Sequence, residues 1–181
     1  MTPLATNGRI AIRRFVPADL APFYAAIDES RAELGRWMAW MHDAYTIADT
    51  REWLEKRDVE WDARRDYALI VVDAQGGDVL GAVALNQINH EQRIANLGYW
   101  TRTSRAGRGV ASAAARLCAR FGFDALGFGR AEIVAIRGNV ASCRAAEKSG
   151  ARFECYARNR LYLRGDWHEA AMYALVPGDC A

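Results

Sequence analysis

No stretch of this sequence is apolar for long enough to cross a bilayer, and its first residues, MTPLATNGRI, lack the apolar core of a signal peptide. Membrane and exported classes are thereby set aside, and a cytoplasmic location is expected. Proline is scarce. Of the four in the chain, three fall before residue 23, which leaves no Pro-rich hinge between two domains. The four cysteines (Cys118, Cys143, Cys155, Cys180) form no C-x-x-C pair and stand apart from His42, His90 and His168. Neither a metal site nor a disulfide framework is expected, and reduced thiols fit a cytosol. A charge surplus is missing too: 24 Lys and Arg against 22 Asp and Glu leave a formal +2. Without a clustered basic excess, nucleic acid is not an expected partner. Repeats and low-complexity segments are also lacking, so residues 1–181 are expected to form one domain.

What is present is a periodic α/β pattern. Arg9 to Phe15 alternates as a strand, with Ile10 and Ile12 on one face. Pro17-Ala18-Asp19 opens a helix carrying Leu20, Phe23, Tyr24 and Ile27 at core spacing. An aromatic-rich segment follows at Leu34 to Met41, then a helix over Thr46 to Asp62 with Asp49 as its cap. Strands are read at Tyr67 to Val72 and Val79 to Asn86, joined by a turn at Gln75-Gly76-Gly77-Asp78, and again at Ile94 to Trp100. A long helix spans Gly107 to Leu126. A strand at Arg130 to Ile136, a helix from Asn139 to Ser149 closed by Gly150, and strands at Phe153 to Leu163 and Trp167 to Val176 complete the chain. This mixed order implies an α/β sheet with antiparallel portions, not a doubly wound parallel one.

The most informative stretch is Trp100-Thr101-Arg102-Thr103-Ser104-Arg105-Ala106-Gly107-Arg108-Gly109-Val110-Ala111. A strand ends, a basic loop with two glycines follows, and an Ala-rich helix begins. Unpaired N–H groups at a helix start, the helix dipole and close backbone approach at glycine together make an anion site. A P-loop is excluded by the lack of G-x-x-x-x-G-K-[ST], and G-x-G-x-x-G fails because position 112 is Ser.

This loop resembles the coenzyme A loop of the GNAT superfamily of N-acetyltransferases, patterned Gln/Arg-x-x-Gly-x-Gly/Ala. Gly109 and Ala111 match it, while its first position is Ala106, with Arg105 one place earlier. The helix Asn139-Val140-Ala141-Ser142 through Lys148-Ser149-Gly150 is similar to the superfamily's Asn-x-x-Ala/Ser…Lys-x-Gly helix. Ala95-Asn96-Leu97-Gly98-Tyr99-Trp100, Trp37-Met38-Ala39-Trp40 and the ending Arg164-Gly165-Asp166-Trp167 resemble the RimJ/RimL branch of ribosomal-protein N-terminal acetyltransferases.

The resemblance implies a mixed, largely antiparallel sheet flanked by helices, in which Leu97 to Thr101 splays from Glu132 to Ile136. It implies acetyl-CoA as cosubstrate, its pantetheine arm between the splayed strands. The cosubstrate would meet Tyr99, Trp100, Thr101, Arg105, Ala106, Gly107, Arg108, Gly109, Val110, Ala111, Asn139 and Lys148. A homodimer is expected by the same analogy. Relatives place a tyrosine seven residues after the Asn, where this chain has Ala146. Ser142, one helical turn after Asn139, is the substitute on the acid side, or else it bonds back to a carbonyl of its own helix. Asn139 either orients the pantetheine amides or caps the helix. No base is assigned: the position before Leu97 is Asn96, and His90 and Glu91 fall in a turn. Trp37, Met38, Trp40 and Met41 are expected to wall the acceptor site. The expected acceptor is a peptide N-terminal amine, the alternative a polyamine or aminoglycoside, and the reading of another class a non-catalytic acyl-CoA sensor.

Overall fold

Residues 2–180 are described by a computed structural model. In chain order the elements are β1 (Ala5–Thr6), β2 (Ile10–Arg13), α1 (Leu20–Glu29), α2 (Arg31–Trp37), α3 (Ile47–Glu55), α4 (Arg57–Asp62) and β3 (Tyr67–Asp73). There follow β4 (Val79–Asn89), β5 (Ile94–Thr101), α5 (Val110–Leu126), β6 (Arg130–Ile136), α6 (Val140–Ser149), β7 (Arg152–Leu163) and β8 (Asp166–Leu175). All strands join one sheet in the order β1-β2-β3-β4-β5-β6-β8-β7, antiparallel except where β5 meets β6.

Alternation along the strands sorts the core into two layers. Ile10, Ile12, Leu69, Val71 and Leu97 face α5, while Ala11, Ile70 and Val72 face the helices α1 to α3. Both faces of β3 are therefore covered, which is why it reads as a continuous apolar run. Helix α5 lies close to the sheet because its inward positions include Ala114, Ala115, Ala119 and Gly122. A Cβ at Gly122 would stand 2.7 Å from Leu85 Cδ1. The second layer is aromatic: Phe15 meets Phe23 at 4.8 Å and Trp53 at 5.1 Å, and Trp100 meets Phe23 at 5.6 Å.

The expected splay is present and abrupt. β5 and β6 pair only at Ile94–Arg130, Ala95–Ala131 and Asn96–Glu132, after which Leu97 to Thr101 runs without a partner on that side. Three local expectations are corrected. The helix over 46–62 is two helices: Arg57 stacks 4.2 Å over Trp53 and donates to Asp66 at 2.7 Å, turning the chain after Lys56. The cap residue of α3 is Thr46, whose N–H donates to the Asp49 carboxylate at 2.7 Å. Met41 is 4% exposed and packs in the second core layer, because the chain turns inward after Trp40.

Candidate active site

Between β5 and α5 the chain makes a short 3-10 turn at Thr103–Arg105 and then passes Gly107 at φ +73° and Gly109 at φ +77°, where side chains are disfavoured. The N–H groups of Arg105 and Ala106 donate to the carbonyls of Arg102 and Thr103. Among the described residues, the next six N–H groups, from Gly107 to Ser112, have no acceptor, and bonding resumes where Ala113 donates to Gly109 at 3.1 Å. A run of six free amides at the head of a 17-residue helix is a ready cradle for oxyanions.

Two of the three loop arginines are already engaged. Arg102 donates to Glu29 at 2.5 Å and Arg105 to Asp78 at 3.0 Å, whereas Arg108 is exposed and joins none of the ion pairs. Glu29 also accepts from the Ser104 N–H at 2.8 Å, and Ser30 Oγ from the Thr103 N–H at 3.0 Å. The end of α1 thus straps the loop in place. Hydrogen bonds from Ser104 and then Arg102 pull the Glu29 carboxyl down to about 2. Nothing local in the sequence marks Glu29 or Ser30; their partners lie more than 70 residues away.

Beside the splay opens a cavity of about 690 Å³. Its walls include Tyr99 and Trp100 from β5, Asn139 and Ser142 at the start of α6, and Trp37 and Trp40 from the α2 end. Six residues singled out from the sequence therefore share one space. Trp40 is 41% exposed and stands 5.6 Å from Tyr45; Trp37 lies beneath the Arg36 guanidinium at 4.8 Å. Met38 joins this wall. The 105–111 segment lies past the end of β5 and Thr101 is not on the wall, its Oγ1 buried without a partner. Lys148 is exposed in the last turn of α6 and the structure does not bring it to the cavity.

At the start of α6, Asn139 caps the helix by accepting from the Ser142 N–H at 3.1 Å. The Ser142 hydroxyl does not bond back to its helix. It donates towards the Tyr99 hydroxyl at 3.4 Å, which itself donates to the Ser142 carbonyl at 2.8 Å.

Residues 9–152 match the family described as Acetyltransferase (GNAT) domain. The chain belongs to the GNAT acetyltransferase family. A Bacillus subtilis (strain 168) protein provisionally named ribosomal N-acetyltransferase YdaF is 29% identical over 174 residues, 94% of this chain and 92% of its own. A Vibrio cholerae structure provisionally named a ribosomal-protein-serine acetyltransferase superposes with TM-score 0.82 at 25% identity, over 97% of this chain and 98% of that one. RimL, the ribosomal L7/L12 alpha-N-protein acetyltransferase, solved with coenzyme A, shares the fold at TM-score 0.87 and 19% identity, over 99% of this chain and 100% of that one.

This GNAT protein is an acetyltransferase that uses acetyl-CoA, and the free amides after Ala106 have the chemistry a diphosphate requires. At the position before Leu97, Asn96 donates to Asn86 Oδ1 at 2.8 Å, so two carboxamides and no base stand there. His90 and Glu91 stay in the exposed turn and do not line the cavity. Three carboxylates line it: Asp49 accepts from Thr46, Glu52 pairs with Lys56 at 2.6 Å, and Asp66 pairs with Arg57 at 2.7 Å through one oxygen while its Oδ1 is buried without a partner. Burial raises the Asp66 carboxyl from its ordinary value despite that partner.

Proposed function

We propose that this enzyme acetylates the α-amine at a peptide N-terminus, of the ribosomal-protein type, acting as one domain in the cytoplasm and as a homodimer. The observation that carries the acceptor class is the cavity itself. It is wide and aromatic, and of the three carboxylates on its wall two already face a cation, Glu52 with Lys56 and Asp66 with Arg57, which leaves Asp49 as a single acidic group for an acceptor such as a polyamine or aminoglycoside that brings several positive charges. The names of the Bacillus subtilis and Vibrio cholerae relatives agree with this reading.

In the proposed mechanism the amides of Gly107, Arg108, Gly109, Val110 and Ala111 hold the diphosphate, with Arg108 as its free countercharge. The unpaired edge of β5 at Tyr99 to Thr101 receives the pantetheine arm as a further strand would be received. A main-chain N–H there polarises the thioester carbonyl, and one such donor contributes on the order of 3 kcal/mol in comparable sites. Trp37 and Trp40 flank the acceptor, whose neutral amine attacks the carbonyl carbon. The C–S bond then breaks, the surplus proton of the attacking nitrogen passes through water to the departing sulfur, and the Ser142 hydroxyl, held in place through Asn139, hydrogen-bonds that sulfur.

Thiol release from acetyl-CoA, measured with short peptides bearing an N-terminal Ser or Ala, with spermidine and with an aminoglycoside, tests the reading. Release that depends on the peptides is expected. Release driven by spermidine or the aminoglycoside alone would replace the acceptor class, and binding of acetyl-CoA without amine-dependent release would replace the enzyme with a sensor.

A further inference from the structure

The Ser142 backbone is gripped on both sides. Its N–H donates to Asn139 Oδ1 at 3.1 Å, and its carbonyl accepts from the Tyr99 phenol at 2.8 Å across 43 residues of sequence. Its hydroxyl behaves unlike the other serines in these helices. Ser112 bonds back to Gly109 at 3.1 Å and Ser149 to Ala146 at 2.6 Å, as short hydroxyl side chains in helices commonly do. Ser142 Oγ instead points at Tyr99, at a distance close to the limit of a hydrogen bond. A hydroxyl with so weak a partner is free to turn and donate its hydrogen bond to a better acceptor in the cavity that both residues line.

Resting on the proposed role of Ser142, we infer that Tyr99 is a positioning residue: its phenol clamps the first turn of α6 to the unpaired half of β5 and so aims the Ser142 hydroxyl into the cleft. Tyr99 stands past the last β5–β6 pair, at Asn96, so no strand bond ties α6 to β5 at this level. The phenol supplies that tie. One turn further along α6, Ala146 is fully buried and carries no hydroxyl that would serve instead.

Tyr99 is not itself the acid. Its single proton is committed to the Ser142 carbonyl. Burial also pushes the phenol up to about 12, while a free thiol ionises near 8.5, so handing that proton to a thiolate is unfavourable by roughly a thousand-fold. Geometry and proton affinity assign it the same part, that of a fixed donor to the backbone.

A double-mutant cycle on the full chain tests the inference, with acetyl-CoA and an N-terminal Ser peptide as probes. Tyr99→Phe keeps the ring and removes only the clamp. It is expected to lower kcat about 10-fold or more while KM for acetyl-CoA moves less than about 2-fold and Tm stays within a few degrees. Ser142→Ala is expected to lower kcat at least as far, and adding Tyr99→Phe to it should cost nothing more, because no hydroxyl remains to aim. The inference is overturned if Tyr99→Phe leaves kcat unchanged, or if its loss recurs in full on the Ser142→Ala background. Full kcat in Ser142→Ala alone would overturn the role of Ser142 and this inference with it, whereas the recurring loss would overturn only the clamp.

Discussion

At the scale of single residues, the loop that should hold the cosubstrate owes its shape to a carboxylate nobody would pick from the sequence. Glu29 takes two donors, the Ser104 N–H and the Arg102 guanidinium, and so fixes where the free amides begin. Both favour the ionised form, and the carboxyl ionises at about 2 instead of 4.5. The folded value is the lower one, so the contact contributes fully above about 4.5 and fades as pH falls towards 2. Glu29→Gln should keep the size and lose the charge. We expect KM for acetyl-CoA to rise several-fold at neutral pH with kcat little changed, measured by initial rates. An unaltered KM would show that the strap is idle. The arginines teach the same lesson from the other side. Read along the chain, Arg102, Arg105 and Arg108 look like three equal charges; among the described residues Arg102 and Arg105 have carboxylate partners and Arg108 has none.

At the scale of elements, most strands and the long helix α5 follow from periodicity, since the alternation of Ile10 and Ile12 or the small residues of α5 reports directly which face is buried. What periodicity misses is short or non-local. β1 is a two-residue strand, and the break after Lys56 is made by Arg57 reaching Asp66, nine positions on. The splay cannot be read from Ile94 to Thr101 alone, because it is a property of register between two strands; here it came through family resemblance. Around the candidate site, the 105–111 loop, Asn139, Ser142, Trp37 and Trp40 stand out in the sequence because their residue types carry a signal, and the last four line one cavity. The Tyr99 contact to Ser142 does not stand out, because it spans the sheet-to-helix gap. One glycine controls the element that matters most. Gly81 on β4 has φ +150°, and a Cβ there would stand 2.2 Å from the Trp100 carbonyl oxygen. Gly81→Ala should push β5 outward, costing about 2–3 kcal/mol and roughly 5–10 °C in Tm. Calorimetric melting checks this, and a variant as stable as the parent would mean the strand edge yields freely.

At the scale of the whole molecule, a single sheet carries a core layer on each face, and the cavity opens where the two halves of that sheet part. A ligand seated in the splay touches both halves at once. Binding there should stabilise the entire fold instead of one lobe. With CoA at 100 times its Kd, linkage predicts about 2.7 kcal/mol, a rise of roughly 5–10 °C in one cooperative transition for a chain of this size. A transition that splits, with only its upper part moving, would show that the halves unfold separately.

The central claim is that the amides from Gly107 to Ser112 form a seat for a diphosphate. Isothermal calorimetry with CoA and with pantetheine, which lacks the diphosphate and the nucleotide, tests it most directly. The account predicts uptake of one CoA per chain and pantetheine binding weaker by about 100-fold or more. No uptake of CoA by the folded protein, or pantetheine bound as tightly as CoA, would contradict it.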